Sequence, residues 1–130
     1  MGEQSLYQLK VTLKESDPLI WRRLLVPGGT RLPRLHRILQ IAMGWQDYHL
    51  HAFTIDGERY SIPDPEDWTP VRNERRVTLA QVIPDEGHTF VYEYDFGDCW
   101  EHEIEVERFV APEEHVRYPL LHRRSTRVSA

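Results

Sequence analysis

The residues with the most chemical capacity fall in two short stretches. Asp47-Tyr48-His49-Leu50-His51 sets two imidazoles two positions apart. Asp95-Phe96-Gly97-Asp98-Cys99-Trp100-Glu101-His102 adds three carboxylates, a thiol and a third imidazole. On a strand, His49 and His51 point to the same side. If their strand meets the one carrying His102, the polar site to expect is His49, His51, Asp95, Asp98 and His102, with Cys99 beside it. Imidazole with carboxylate is the ligand chemistry of zinc and other divalent transition metals. No spacing here compels a metal, so no cofactor is expected; a transition metal on His49, His51 and His102 is the alternative. The plain reading of the same residues is a hydrogen-bonded network beside a turn, with Gly97 free to take positive φ and either aspartate accepting backbone N–H groups. Cys99 and His102 are three apart, on opposite faces of a strand, which argues against a cysteine nucleophile with a histidine base. Glu101, Glu103, Glu105 and Glu107 read as a solvated strand face.

A second grouping is basic. Arg22 and Arg23 follow Trp21, and Arg31, Arg34 and Arg37 recur along a helical stretch. Arg22, Arg23, Arg34 and Arg37 form the candidate patch for a phosphate or an acidic partner surface. Aromatic residues interleaved for base stacking are missing from it. Residues 47–114 carry 18 acidic and 5 basic residues, net −13, between flanks of +4 each. Such a middle repels a phosphate backbone, so sequence-specific DNA binding is not expected.

The elements that must position these groups follow from periodicity. Tyr7, Leu9, Val11 and Leu13 alternate with polar residues, and Ile20 to Val26 continues after the Ser16-Asp17-Pro18 turn, giving a hairpin. A helix is expected from an N-cap at Thr30, with Pro33 in its first turn and Gly44 as the left-handed stop. Its apolar stripe is Leu32, Leu35, Ile38, Leu39, Ala42 and Met43. His49 to Ile55 and Glu58 to Ile62 flank Asp56-Gly57, the strongest short hairpin signal. A short helix capped by Thr78 precedes Pro84. Two long strands, Phe90 to Phe96 and Trp100 to Val110, close the list. The order β-β-α-β-β-α-β-β predicts an α+β fold, an antiparallel sheet of three hairpins with one long and one short helix packed on it. No glycine-rich phosphate loop follows a strand, which disfavours nucleotide binding of that type.

At 130 residues the chain is one domain's worth. The expected division is a single domain over 1–119 and a basic tail over 120–130. One cysteine excludes an intrachain disulfide and a cysteine-based zinc finger. No apolar run has the length of a membrane span and no leader is visible, so a cytoplasmic protein without membrane contact is expected.

The joint set Tyr7 to Leu13, Ile20-Trp21-Arg22-Arg23, Leu35-His36, Met43-Gly44-Trp45, His49-Leu50-His51-x-Phe53 and Tyr92-x-Tyr94-Asp95-Phe96-Gly97-Asp98-x-Trp100-x-His102 closely resembles the plasmid pRiA4b ORF-3-like family. The resemblance implies an α+β fold, a prokaryotic source and linkage to mobile elements, where such proteins travel as insertion-element passengers labelled resolvases. It implies no established activity. Family members usually continue past Arg117-Tyr118-Pro119 into a cysteine-containing segment and a further helix, so this chain resembles a C-terminally truncated member. The function expected is a non-catalytic binding or interaction module with a protein partner or self-association. The alternative is a metal-dependent or nucleic-acid-processing enzyme using His49, His51, Asp98 and His102.

Overall fold

The computed structural model describes residues 5–46, 49–66, 70–95 and 99–124, the side chains of 122–124 excepted. β1 (Leu6–Leu13) and β2 (Ile20–Pro27) pair antiparallel as a hairpin. Their turn is held by Ser16, whose Oγ donates to the Leu13 carbonyl and accepts from Ile20 N–H. α1 spans Leu32–Met43. β3 (His51–Ile55) and β4 (Glu58–Ser61) form a second hairpin, with Asp56 and Gly57 both at positive φ, as its two-residue turn requires. β5 (Arg72–Asn73) adds to β4 in parallel. α2 (Leu79–Val82) opens with a capping box between Thr78 and Gln81. β6 (Thr89–Tyr94) and β7 (Trp100–Val110) make the third hairpin, and β8 (Leu120–Arg124) pairs with β2. All eight strands share one sheet in the order β5-β4-β3-β6-β7-β1-β2-β8.

The α+β sheet with two helices is as the sequence leads one to expect. Five details differ. β3 begins at His51, which leaves His49 outside the strand. β6 lies between β3 and β7, so the strands of His51 and His102 do not meet. Residues 120–124, expected as tail, are the edge strand β8, and the two-residue β5 is an addition to the expected strands. The N-cap of α1 is Arg31, without a side-chain cap. A tertiary bond does the capping instead: Arg31 bridges Thr78, and Leu32 N–H donates to the Val77 carbonyl at 2.8 Å.

One face of the sheet is covered. Tyr7, Leu9, Val11, Leu24, Val26, Phe53, Ile55, Phe90, Tyr92, Ile104 and Val106 pack there against Leu32, Leu35 and Leu39 of α1 and Leu79 of α2. The other face is polar. Arg23 makes a two-point ion pair with Glu107 at 2.7 and 2.9 Å, and Lys10 and Arg23 both lie over the Trp21 ring. The glutamates of β7 read as solvated are therefore partly tied, Glu101 to Lys14 and Glu107 to Arg23.

Candidate functional site

The covered face carries polar residues as well as the apolar core. Alternation along β3, β6 and β7 sends His51, Tyr92, Tyr94 and His102 toward α1. The helix returns His36 and Gln40, one turn apart beside its leucines. Glu74, just after β5, reaches in from the sheet's far edge.

These groups form a closed network. His51 Nε2 lies 2.8 Å from each Glu74 oxygen, and Glu74 is 1% exposed. The His36 ring stacks on His51 with centroids 3.6 Å apart and planes 11° from parallel. His36 Nδ1 is 2.6 Å from Tyr92 Oη, which also accepts from Gln40 Nε2 at 2.8 Å. Ser61 Oγ donates to the His51 carbonyl. His36, His51, Ser61 and Glu74 face a pocket of about 200 Å³, with His49 and Arg37 at its rim.

His102 sits across Tyr92 from this network and is fully buried. Its Nε2 is 3.2 Å from the Trp45 indole N–H and its Nδ1 is 3.2 Å from the Tyr92 carbonyl. An indole only donates and a carbonyl only accepts, so the ring is neutral with its proton on Nδ1. Burial agrees: it lowers the His102 pKa from the ordinary 6.5 to about 4.

Trp45 leads to a second concavity. Gly44 ends α1 at φ +79, and Trp45 N–H closes back on the Gln40 carbonyl. That hands the indole to the end of the β6–β7 hairpin, where Tyr94 and Trp100 are cross-strand partners. Ring centroids are 5.6 Å from Trp45 to Tyr94 and 5.4 Å from Trp45 to Trp100. Asp95, at φ +61, turns the chain out of β6, with its N–H on the Leu50 carbonyl and its own carbonyl accepting from Cys99 N–H. His49 Nε2 lies 3.7 Å from Asp95 Oδ2, and its ring meets Tyr94 edge-on. Trp45, His49, Tyr94, Asp95 and Trp100 line about 370 Å³ of open concavity.

The polar site expected from sequence is thus split. His51 lies in the closed network, His102 under Trp45, and His49 with Asp95 on the open concavity; Asp98 lies outside the described residues. Both nitrogens of His102 are committed inside the fold, and among the described residues no three His, Cys, Asp or Glu side chains are grouped to hold a metal. Cys99 is exposed, and its bond to Glu93 pushes the thiol pKa up, away from a nucleophile. The basic patch divides too. Arg22 is 7% exposed on the covered face, donating to the Ala42 and Trp21 carbonyls, while Arg23 faces the other way onto Glu107. Arg34 and Arg37 stay exposed on α1. Glu74 and Gln40 had no local signal: one is a lone acid in a polar loop, the other a polar residue on a helix. His36 and Trp45 are marked as site residues only by the motif resemblance.

An antiparallel-dominated sheet with one covered face, a buried His–Glu–Tyr network and an aromatic rim defines an α+β domain class. A model of the plasmid pRiA4b ORF-3-like protein matches residues 5–127, and the chain belongs to that family. It is 45% identical over 105 residues, 80% of its length, to the uncharacterized protein y4hQ of Sinorhizobium fredii (strain NBRC 101917 / NGR234). The chain spans about half the length of that curated relative, 54%. The crystal structure of MM3350, a protein of unknown function from Methanosarcina mazei Go1, superposes with a TM-score of 0.82 at 30% identity, covering 92% of this chain and 69% of that one.

Proposed function

We propose that this domain is a non-catalytic binding module of a mobile-element-associated, cytoplasmic protein. It takes a ligand, or a side chain of a protein partner or of a second copy, into the concavity of Trp45, Tyr94 and Trp100. The observation that supports this reading is the contrast in commitment. The histidines that would do chemistry are bonded to Glu74, Tyr92 and Trp45, whereas Trp100 keeps 39% of its surface exposed beside an open pocket. An exposed tryptophan at a concave, partly polar site is the usual anchor of recognition. Sequence-specific DNA binding is not part of the proposal, because Arg22 and Arg23 face opposite ways and the central region is strongly acidic.

A fragment screen followed by the indole and ring signals in NMR tests this. Hits are expected to shift Trp45, Tyr94 and Trp100, to disappear in Trp100→Ala and to persist in Glu74→Gln. A compound that is chemically converted, with turnover lost in Glu74→Gln, overturns the reading in favour of an enzyme centred on the His36–His51–Glu74 pocket.

A further inference from the structure

We infer that the outward face of α1 is a docking surface for a short acidic segment of a partner protein that carries an apolar side chain at one end.

The charge comes first. Residues 30–46 contain three arginines and no acid. Arg31, at the N-cap, and Arg34 and Arg37 of α1 are exposed, and spacings of three place them on successive turns of one stripe. Tertiary structure adds two more. The Arg31–Thr78 bridge and the Leu32 N–H bond to the Val77 carbonyl lay the exposed Arg75-Arg76 pair alongside the first turn of α1. Among the described residues none of these five arginines holds a carboxylate. Elsewhere Arg23, Arg59 and Arg72 each hold a glutamate. The chain has 21 acidic residues against 16 arginines and lysines, so five neighbouring arginines without an acid are a charge left open. Planar guanidinium groups take carboxylates in two-point pairs.

The stripe then turns apolar. Ile41 lies four positions beyond Arg37 and seven beyond Arg34, so it shares their face, and it is 81% exposed. Beside it a groove of about 260 Å³ opens between Ile38, Ile41 and Ala42 of α1 and Pro119, Leu120 and Leu121 at the start of β8. Leu120 and Leu121 keep 38% and 44% of their surface exposed. From Arg31 to Ile41 the face runs about 15 Å at 1.5 Å per residue. A partner segment of about five extended residues, or just under three helical turns, covers it.

The pattern separates the classes of partner. A nucleic acid finds no aromatic ring on the stripe for its bases, and a phosphate backbone longer than the stripe meets the net −13 of residues 47–114. An anionic membrane meets the same repulsion, and the apolar end is concave, a shape for an inserted side chain. A short acidic segment satisfies both ends, with carboxylates on the arginines and a leucine-sized side chain in the groove. Charge then sets its direction along α1 and the groove anchors it.

Two labelled peptides of about ten residues test this by fluorescence anisotropy. One has a block of glutamates and a pair of leucines, the other has serines in place of the leucines, and each is made in both chain directions. The better leucine peptide should bind at least fivefold more tightly than its serine counterpart. Arg34→Glu combined with Arg37→Glu should weaken both peptides at least tenfold. Ile41→Ser should weaken only the leucine peptide, about fivefold, and Arg23→Ala, on the other face of the sheet, should change neither. All the substituted α1 residues are exposed, and amide NMR spectra matching the parent chain confirm that the variants are folded. Equal binding of the leucine and serine peptides, or no effect of the double reversal, overturns the inference. So does the absence of binding at about millimolar peptide in low salt. A short single-stranded oligonucleotide or phosphatidylglycerol vesicles, held more tightly than the leucine peptide and released by the same double reversal, assign the stripe to phosphates and overturn the protein partner. The stripe shares no residue with the Trp45–Trp100 concavity, so these outcomes are independent of fragment binding there.

Discussion

The two faces of the sheet solve the same problem differently. Both carry polar side chains in the same strands, alternating residue by residue. On the covered face, Glu74, His51, His36, Tyr92, Gln40 and His102 are buried beneath α1 and bonded within the fold, His51 to Glu74, His36 and Gln40 to Tyr92, and His102 to Trp45 and the Tyr92 carbonyl. On the outer face, Arg23–Glu107, Arg59–Glu93 and Lys14–Glu101 pair in partial contact with water. The physical difference is the alternative open to each group when its partner is lost. An outer charge returns to solvent, whereas a buried one keeps its full desolvation cost. The polar groups of the covered face should therefore dominate stability, although the outer face has more charges.

The largest effect should come from Glu74→Ala, which strips His51 Nε2 of both its acceptors where the ring is only 5% exposed. A loss of about 3–5 kcal/mol in urea unfolding is expected. Leu39→Ala should cost a similar or smaller amount, about 2–5 kcal/mol, because it opens a cavity under α1 among fully buried neighbours. A loss below about 0.5 kcal/mol would mean that the helix does not seal this face.

Acid gives a third comparison. The His102 pKa is 6.5 in an unfolded chain and about 4 in the fold. Between those values the unfolded state takes up a proton that the native state refuses, so stability falls as pH drops through that window. The shift corresponds to about 3 kcal/mol at most, fully lost below pH 4. His102→Gln should flatten that part of the pH profile. The same acid should loosen Trp45, since a protonated ring no longer accepts its indole N–H.

Tyr92→Phe removes a hydroxyl that serves both His36 and Gln40 and should cost about 1–3 kcal/mol. Arg23→Ala is the smallest change. Its ion pair is well formed but in contact with water, the two side chains 21% and 20% exposed, so the loss should stay at about 1 kcal/mol or below and shrink further in salt. Equal losses for Tyr92→Phe and Arg23→Ala would erase the distinction between the faces.

Local rules carried the backbone a long way. Alternation in Tyr7–Leu13, the hairpin turn at Asp56-Gly57, Gly44 after an apolar stripe, and the Thr78 cap each act within a few residues, and each is present as read. Neighbouring side chains on one strand were legible for the same reason. The partners of those side chains were not. Nothing in His51 points to Glu74, 23 residues on, nor in His102 to Trp45, 57 residues earlier. Those meetings depend on β6 being inserted between β3 and β7 and on the angle at which α1 crosses the sheet. Strand order is a global packing result, fixed by which apolar faces can be buried together. The same holds for Arg22 and Arg23: adjacent in sequence, they are separated by the thickness of the sheet, and only the tertiary structure decides that one is buried and the other paired in water. The sequence by itself determined which residues were able to do chemistry; the packing of α1 and the order of the strands decided which were sealed into the core and which were left open on the Trp45–Trp100 concavity.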